Sequence, residues 1–364
     1  MEPPERLVTA ALPPLYAAWL DELLAGPIPA ETEASCSDCA MCEAPGEHIA
    51  VEHFNPRTKC CTYLPELHNF LVGRILADSD THAAALHGRT SVTARIRKGS
   101  AVTPLGLGRA RPYALLYKSS IDAFGHALSM RCPHYLDESG GLCGVWKHRM
   151  SMCATWFCKH VRGAVGSHFW KSIHRLLNAI ERSLSAWCVL DLDPGREALE
   201  RLFRVHNGTA GDEPFTGFEL DGSEDPALYR ALWGRWYGKE AEFYRACAEK
   251  VNPLRWKDLV EISGPDVRIA AQLARKAYAD LTNQELPRVL RLGPFEVISA
   301  DVETVRLSTY NGYDPLEVPR SLFDLLPRFD GRPTATVLET IATGDGVDLD
   351  PALIRKLADF KLLA

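Results

Sequence analysis

Three thiols spaced three residues apart, Cys36, Cys39 and Cys42 in the stretch CSDCAMC, constrain this chain more than any other feature. Cysteines this close gain little from pairing with one another, because a disulfide stabilises by closing a long loop. A metal gains a great deal from them. A turn of this spacing folds back so that successive sulfurs face one point. Six more cysteines, Cys60, Cys61, Cys132, Cys143, Cys153 and Cys158, complete a set of nine between residues 36 and 158. Only Cys188 and Cys247 lie beyond it. Each sits in a helical pattern and reads as a small buried hydrophobe.

The opening stretch MEPPERLVTAALPPLYAAWLDELL carries acidic residues and prolines with no basic head, so it reads as a lead-in and amphipathic helix, not an export signal. No run approaches the roughly 18 apolar residues of a spanning helix. A cytoplasmic location without membrane contact is expected, and eleven cysteines in a reducing compartment argue for ligands over disulfides.

Apolar periodicity predicts a mainly α fold. Residues 13–25 form a short helix, and PELHNFLVGRILADSD places Leu67, Phe70, Leu71 and Ile75 on one face. A long helix follows, with Phe169, Ile173, Leu176, Leu177, Ile180, Leu184, Trp187 and Cys188 in one stripe. Another starts at Asp225-Pro226, a cap followed by a first-turn proline, with Leu228, Leu232, Trp236, Phe243 and Cys247 as its stripe. A third runs from about Pro265 to Leu281. Residues 26–62 and 131–164 lack periodicity and read as irregular cysteine-bearing loops whose order depends largely on ligand bonds. From Leu286 the pattern changes to one or two alternating strands and three short helices. The expected architecture is a helical domain, 1–285, wrapped around cysteine-rich metal-binding loops, and a small winged-helix-like α/β module, 286–364.

The run C-x2-C-x2-C opens the bacterial ferredoxin pattern, in which a remote cysteine followed by proline supplies the fourth corner of a cluster. Cys132-Pro133 offers that remote ligand. Zinc sites more often show two separated C-x2-C pairs. The spacing therefore leans toward one or two iron–sulfur clusters, of the four-iron type, with zinc or mononuclear iron as alternatives. Neighbouring side chains point apart, so Cys60 and Cys61 serve two sites more easily than one. Residues 57–100 carry seven Lys/Arg against three Asp/Glu, and residues 131–175 seven against two. Those cations would offset the negative charge of bound thiolates, or attract an anionic small molecule. His48, His53, His134, His148, His160 and His168 are candidates to replace a cysteine or to hydrogen-bond a sulfur. KHVRGAVGSHFW reads as a flexible Gly163/Gly166 hinge between two of them. No phosphate-binding glycine loop, H-E-x-x-H or G-x-S-x-G is present, and the head does not match the C-x3-C-x2-C of radical-SAM enzymes.

This head, together with RCPHYLDESGGLCGVWKHRMSMCATWFC, resembles the YkgJ-like zinc- or iron-chelating cysteine-cluster family over residues 36–160. Cys36, Cys39 and Cys42 match the family's head, and Cys132, Cys143 and Cys153 its tail. Arg149-Met150 stands where the family has Arg-Pro, and Glu43 stands where a fourth cysteine would follow Cys42. The resemblance implies a bound metal or cluster and names no reaction. Residues 286–364, with RFDGRPTATVLETIA at their centre, resemble the small peptide-binding winged helices of the pyrroloquinoline-quinone chaperone type. Nine Lys/Arg against twelve Asp/Glu there disfavour DNA, so a protein or peptide partner is expected. The functional expectation is a redox or electron-transfer role within a biosynthetic or modification enzyme. The alternative is a zinc-stapled scaffold that recruits a protein or peptide.

Overall fold

The computed structural model describes residues 12–24, 26–29, 31, 39–42, 54–203 and 225–364. The chain is mainly helical with small sheets. Its first part contains α1 (Pro14–Leu23), β1 (Leu67–His68), α2 (Asn69–Ala77), α3 (Ala83–Lys98), β2 (Val102–Thr103), β3 (Gly106–Leu107) and α4 (Arg111–Ser119). There follow β4 (Tyr135–Leu136), β5 (Leu142–Cys143), α5 (Ser151–Thr155), α6 (Gly163–Leu192) and α7 (Arg196–Leu202), then α8 (Pro226–Trp233), α9 (Glu240–Val251) and α10 (Trp256–Thr282).

The 30-residue α6 is the spine. Its predicted stripe is the buried one, with Trp187 half-buried at the margin. It packs mainly against α10, and α2 packs against α9. The second pair is close enough that a Cβ on Gly73 would meet the carbonyl oxygen of Tyr244 at 1.8 Å. Cys188 and Cys247 are both fully buried, and the Cys188 thiol lies 3.8 Å from the Cys247 carbonyl oxygen across the α6–α9 interface.

Two helices differ from the sequence reading. The predicted single helix from Asp225 breaks at Gly234, where φ is 49° and the backbone passes so close to Pro194 that a Cβ would meet its carbonyl oxygen at 2.0 Å. The break rotates the stripe: Trp233 is fully buried, whereas Leu228 is 37% exposed. Asp225 does cap α8, accepting from the Ala227 amide at 2.8 Å. The helix expected from Pro265 instead begins at Trp256 and runs through a kink at Gly264, which spares the Pro265 ring its clash with the preceding turn.

The last part has β6 (Val289–Arg291), β7 (Glu296–Ala300), β8 (Thr304–Ser308), β9 (Leu316–Pro319), α11 (Arg320–Phe323), β10 (Asp330–Pro333), α12 (Thr334–Gly344) and α13 (Pro351–Asp359). Strands β7, β8 and β9 form an antiparallel sheet with β8 central, and β6 pairs with β10. This part has its own apolar core, from Leu290 to Leu363, separate from the one that α6 organises. Arg162, just before α6, joins the two: it donates to both carboxylate oxygens of Asp359 at 2.7 Å and to the Asn283 carbonyl at 2.9 Å. Burial of that pair makes each partner dependent on the other.

Candidate metal centre

The first cysteine segment is ordered by local polar contacts. Cys39 and Cys42 span one turn, closed by the Cys42 amide on the Cys39 carbonyl at 2.9 Å. Met41 is buried between them, and the Cys42 thiol lies 3.8 Å from the Phe54 carbonyl oxygen. Residues 54–63 wrap around Gly125, whose carbonyl takes the Asn55 amide at 2.9 Å and the Thr58 hydroxyl at 2.7 Å. The Gly125 amide donates to the Thr62 hydroxyl at 2.8 Å. With φ of 80° and the Phe54 ring where a Cβ would lie, only glycine fits at 125. Lys59 also has positive φ, 50°, immediately before Cys60 and Cys61, and its ammonium donates to the Gly140 carbonyl. Order in this segment therefore comes from hydrogen bonds that the residue pattern did not announce, as well as from any ligand bond.

The second segment is built onto the first. The Cys132 amide donates to the Cys61 carbonyl at 2.6 Å. The β4–β5 hairpin sets Tyr135 opposite Cys143, and the Tyr135 hydroxyl returns to the Pro56 carbonyl at 3.0 Å. Arg149 lies 3.6 Å from the Trp146 ring centre and donates to the Cys153 carbonyl at 3.1 Å. The short helix α5, which carries Cys153, is tethered to α6 through Ser151, whose amide and hydroxyl donate to Glu181 at 2.7 and 2.5 Å.

These contacts bring the cysteine-bearing segments together, and their thiols interact in three overlapping sets. Cys39 feels the charges of Cys42 and Cys60; Cys153 feels those of Cys143, Cys132 and Cys60; Cys158 feels that of Cys60. Cys60 is common to all three sets. Burial, reinforced by the neighbouring thiols, pushes Cys39 and Cys158 up to about 12 and Cys153 well above the ordinary thiol range. Such thiols hold their protons at neutral pH and are poor nucleophiles. A cation at their meeting point would displace those protons and relieve the mutual repulsion. Among the described residues, no three Cys, His, Asp or Glu side chains stand close enough to hold a metal as they are. The two observations concern different ranges, since charge interaction extends several ångströms beyond a metal–sulfur bond of about 2.3 Å. The thiols would suit a thiophilic metal by their chemistry, and the described side chains would have to close inward to coordinate one. Cys36, His48 and His53 lie outside the described residues.

The other histidines are placed as structural groups. His134 is buried against Ser91, Nδ1 to Oγ at 2.8 Å, and burial pushes it down to about 3. His148 meets Asp78 at 3.2 Å, and burial holds it at about 4. His168 is exposed. The expected hinge between His160 and His168 is absent: Gly163 and Gly166 open α6 and are both buried. They are small because a Cβ on Gly163 would strike Phe360, and one on Gly166 would crowd Glu31 and His160. The cations also divide. Arg149 and Lys159 lower Cys153 and Cys158 respectively, and Arg95 interacts with Cys132. Arg131, Lys147 and Arg162 are committed to Asp137, Asp80 and Asp359.

Two groups of residues went unnoticed in the sequence. Phe54 packs edge-on against Phe124 at 5.4 Å and Tyr313 at 5.6 Å, and Phe124 in turn meets Trp156 at 6.0 Å. The β8–β9 loop supplies Tyr310, Asn311, Tyr313 and Asp314, with Asn311 reaching the Cys158 carbonyl at 2.8 Å. Its Asn-Gly pair signals a tight turn, and nothing local signals the distant contact.

No protein-family model, curated protein or solved structure matches the chain. No described helix is long and apolar enough to cross a membrane.

Proposed function

We propose that the chain is a cysteine-ligated metalloprotein whose centre is an iron–sulfur cluster used in electron transfer, in keeping with the YkgJ-like spacing of its thiols. The observation that supports this reading is that separately encoded cysteine segments lie together: the Cys132 amide donates to the Cys61 carbonyl at 2.6 Å, Cys143 pairs with Tyr135 in the adjoining hairpin, and the Cys39–Cys42 turn is held by Phe54. A bound cluster supplies one-electron redox chemistry. The protein's own groups would orient the sulfurs, and Arg149 and Lys159 would offset the thiolate charge. Anaerobically purified protein is expected to be brown, with broad absorbance on the order of 400 nm, and to contain acid-labile sulfide. Colourless protein holding only stoichiometric zinc would overturn the redox assignment.

A second reading, the zinc-stapled scaffold, draws support from the C-terminal part. Its antiparallel sheet with α11, α12 and α13 is compatible with a winged-helix module spanning 286–364. Its edge strand β7 is exposed along all five residues, with Val297 and Ile298 about half exposed. Among the described residues β7 pairs with β8 alone, and an apolar strand edge of this kind favours an extended peptide partner. Binding of peptides by residues 286–364 alone, with metal content irrelevant to it, would favour the scaffold.

A further inference from the structure

We infer that the β8–β9 loop, residues 309–315, is a wall of the thiol centre, and that Asn311, Tyr313 and Asp314 are positioning residues for its sulfurs. The inference rests on the reading of those thiols as a metal site.

The loop contacts two separate cysteine-bearing segments. On one side Asn311 donates from Nδ2 to the Cys158 carbonyl at 2.8 Å, and its own Oδ1 is held by the Tyr313 amide at 3.1 Å. Two residues on, the His160 amide donates to Asp314 Oδ2 at 3.0 Å, and the Tyr310 hydroxyl donates to the same oxygen. The His160 ring closes the circuit, with Nδ1 3.2 Å from that hydroxyl. The backbone on either side of Lys159 is thus fixed by groups from more than 150 residues away. On the other side Tyr313 packs edge-on against Phe54 at 5.6 Å. Phe54 is itself tied to the Cys39–Cys42 turn: its amide donates to the Met41 carbonyl at 2.8 Å, and its carbonyl lies 3.8 Å from the Cys42 thiol.

One short loop therefore grips the strand of backbone that presents Cys158 and the residue that backs Cys42. The described thiols must move inward to reach bonding distance, so whatever fixes their backbones governs how readily they close. Strands β8 and β9 continue from this loop into the sheet whose edge is the exposed β7. Metal occupancy and the seating of the C-terminal sheet are then linked, each favouring the other.

The test uses Co(II) as probe on the full-length, anaerobically reduced chain. The readouts are affinity against a competing chelator and the intensity of the thiolate-to-cobalt charge-transfer band, which reports how many sulfurs are bound. Asn311→Ala and the isosteric Asn311→Asp, which loses the donor, should weaken Co(II) about tenfold and reduce that band. Tyr313→Ala should do likewise, whereas Tyr313→Phe, which keeps the ring on Phe54, should restore both. Asp345→Ala breaks an ion pair with Arg328 in the same C-terminal part and should change neither readout. Wild-type affinity and band in Asn311→Asp and Tyr313→Ala would overturn the inference and leave the metal site standing. Absence of any thiolate–cobalt band in the wild-type chain would sink the metal reading itself, and this inference with it.

Discussion

The spine helices and the cysteine segments reach burial by opposite means. Along α6, apolar residues recur at helical spacing and leave water together, so the backbone satisfies itself while side chains form the core. In residues 54–63 and 131–162 the chain turns too often for that. Its buried side chains include Thr58, Lys59, Thr62, His134, Arg149 and His160, each tied to a carbonyl, a hydroxyl or, for Thr62, a backbone amide. Apolar burial tolerates local adjustment, whereas a buried polar network does not. A region of the second kind is suited to holding ligands in register, and it depends more heavily on each contact.

The largest expected effect separates thiols of the two regions. Cys39→Ser or Cys153→Ser should strip the metal, since an alkoxide-like oxygen is a poor substitute for thiolate on iron or zinc. Cys188→Ala and Cys247→Ala should leave the metal content measured by elemental analysis unchanged. Equal loss in both pairs would erase the distinction.

Next in size is a truncation in the spine. Leu177→Ala, at a fully buried position of α6, should cost about 2–5 kcal/mol in denaturant melts. The surviving folded protein should keep its metal. Loss of metal in step with stability would mean that the two regions form one cooperative unit.

The junction between them gives a pH signature. Glu181 lies fully buried between α1, α5 and α6, where burial lifts its carboxyl from 4.5 to about 7 despite the donors Ser151 and Tyr16. His68, 3.9 Å away, is pushed down to about 4 by burial, so between those values the pair is two neutral groups and not a salt bridge. The folded chain keeps a proton that the unfolded chain releases above its ordinary value. Glu181 by itself would therefore lower stability by on the order of 3 kcal/mol as pH rises from about 4.5 to about 7, whereas His68, held below its ordinary 6.5, contributes in the opposite sense between about 4 and 6.5. Glu181→Gln should remove the Glu181 share, so that the stability of the variant relative to wild type rises across the window in chemical denaturation. A difference that does not vary with pH would remove Glu181 as a contributor.

The smallest effect is packing alone. Cys247→Ala should lower stability by about 1 kcal/mol, the ordinary scale for a modest core truncation.

What was legible follows the same division. The α6 stripe, the burial of Cys188 and Cys247, and the cap at Asp225 could be read because each depends on residues within a few positions. The break at Gly234 could not, because it is set by the approach of Pro194, about forty positions earlier in the chain. The hinge read into Gly163 and Gly166 failed for a related reason. Glycine marks either freedom or crowding, and only the placement of Phe360 and Glu31 shows that it is crowding here. The cysteine spacing pointed to a candidate donor set, while the bond from Cys132 to Cys61 and the grip of Asn311 on the Cys158 carbonyl exist only in three dimensions.

The central claim is that a metal held by these thiols orders the cysteine segments and not the spine. Hydrogen exchange on metal-loaded and chelated full-length protein tests it most directly. On removal of the metal, amides in 54–63 and 131–162 should exchange at least about tenfold faster, while those of α6 and α10 keep their protection. Unchanged protection in both cysteine segments would contradict the account.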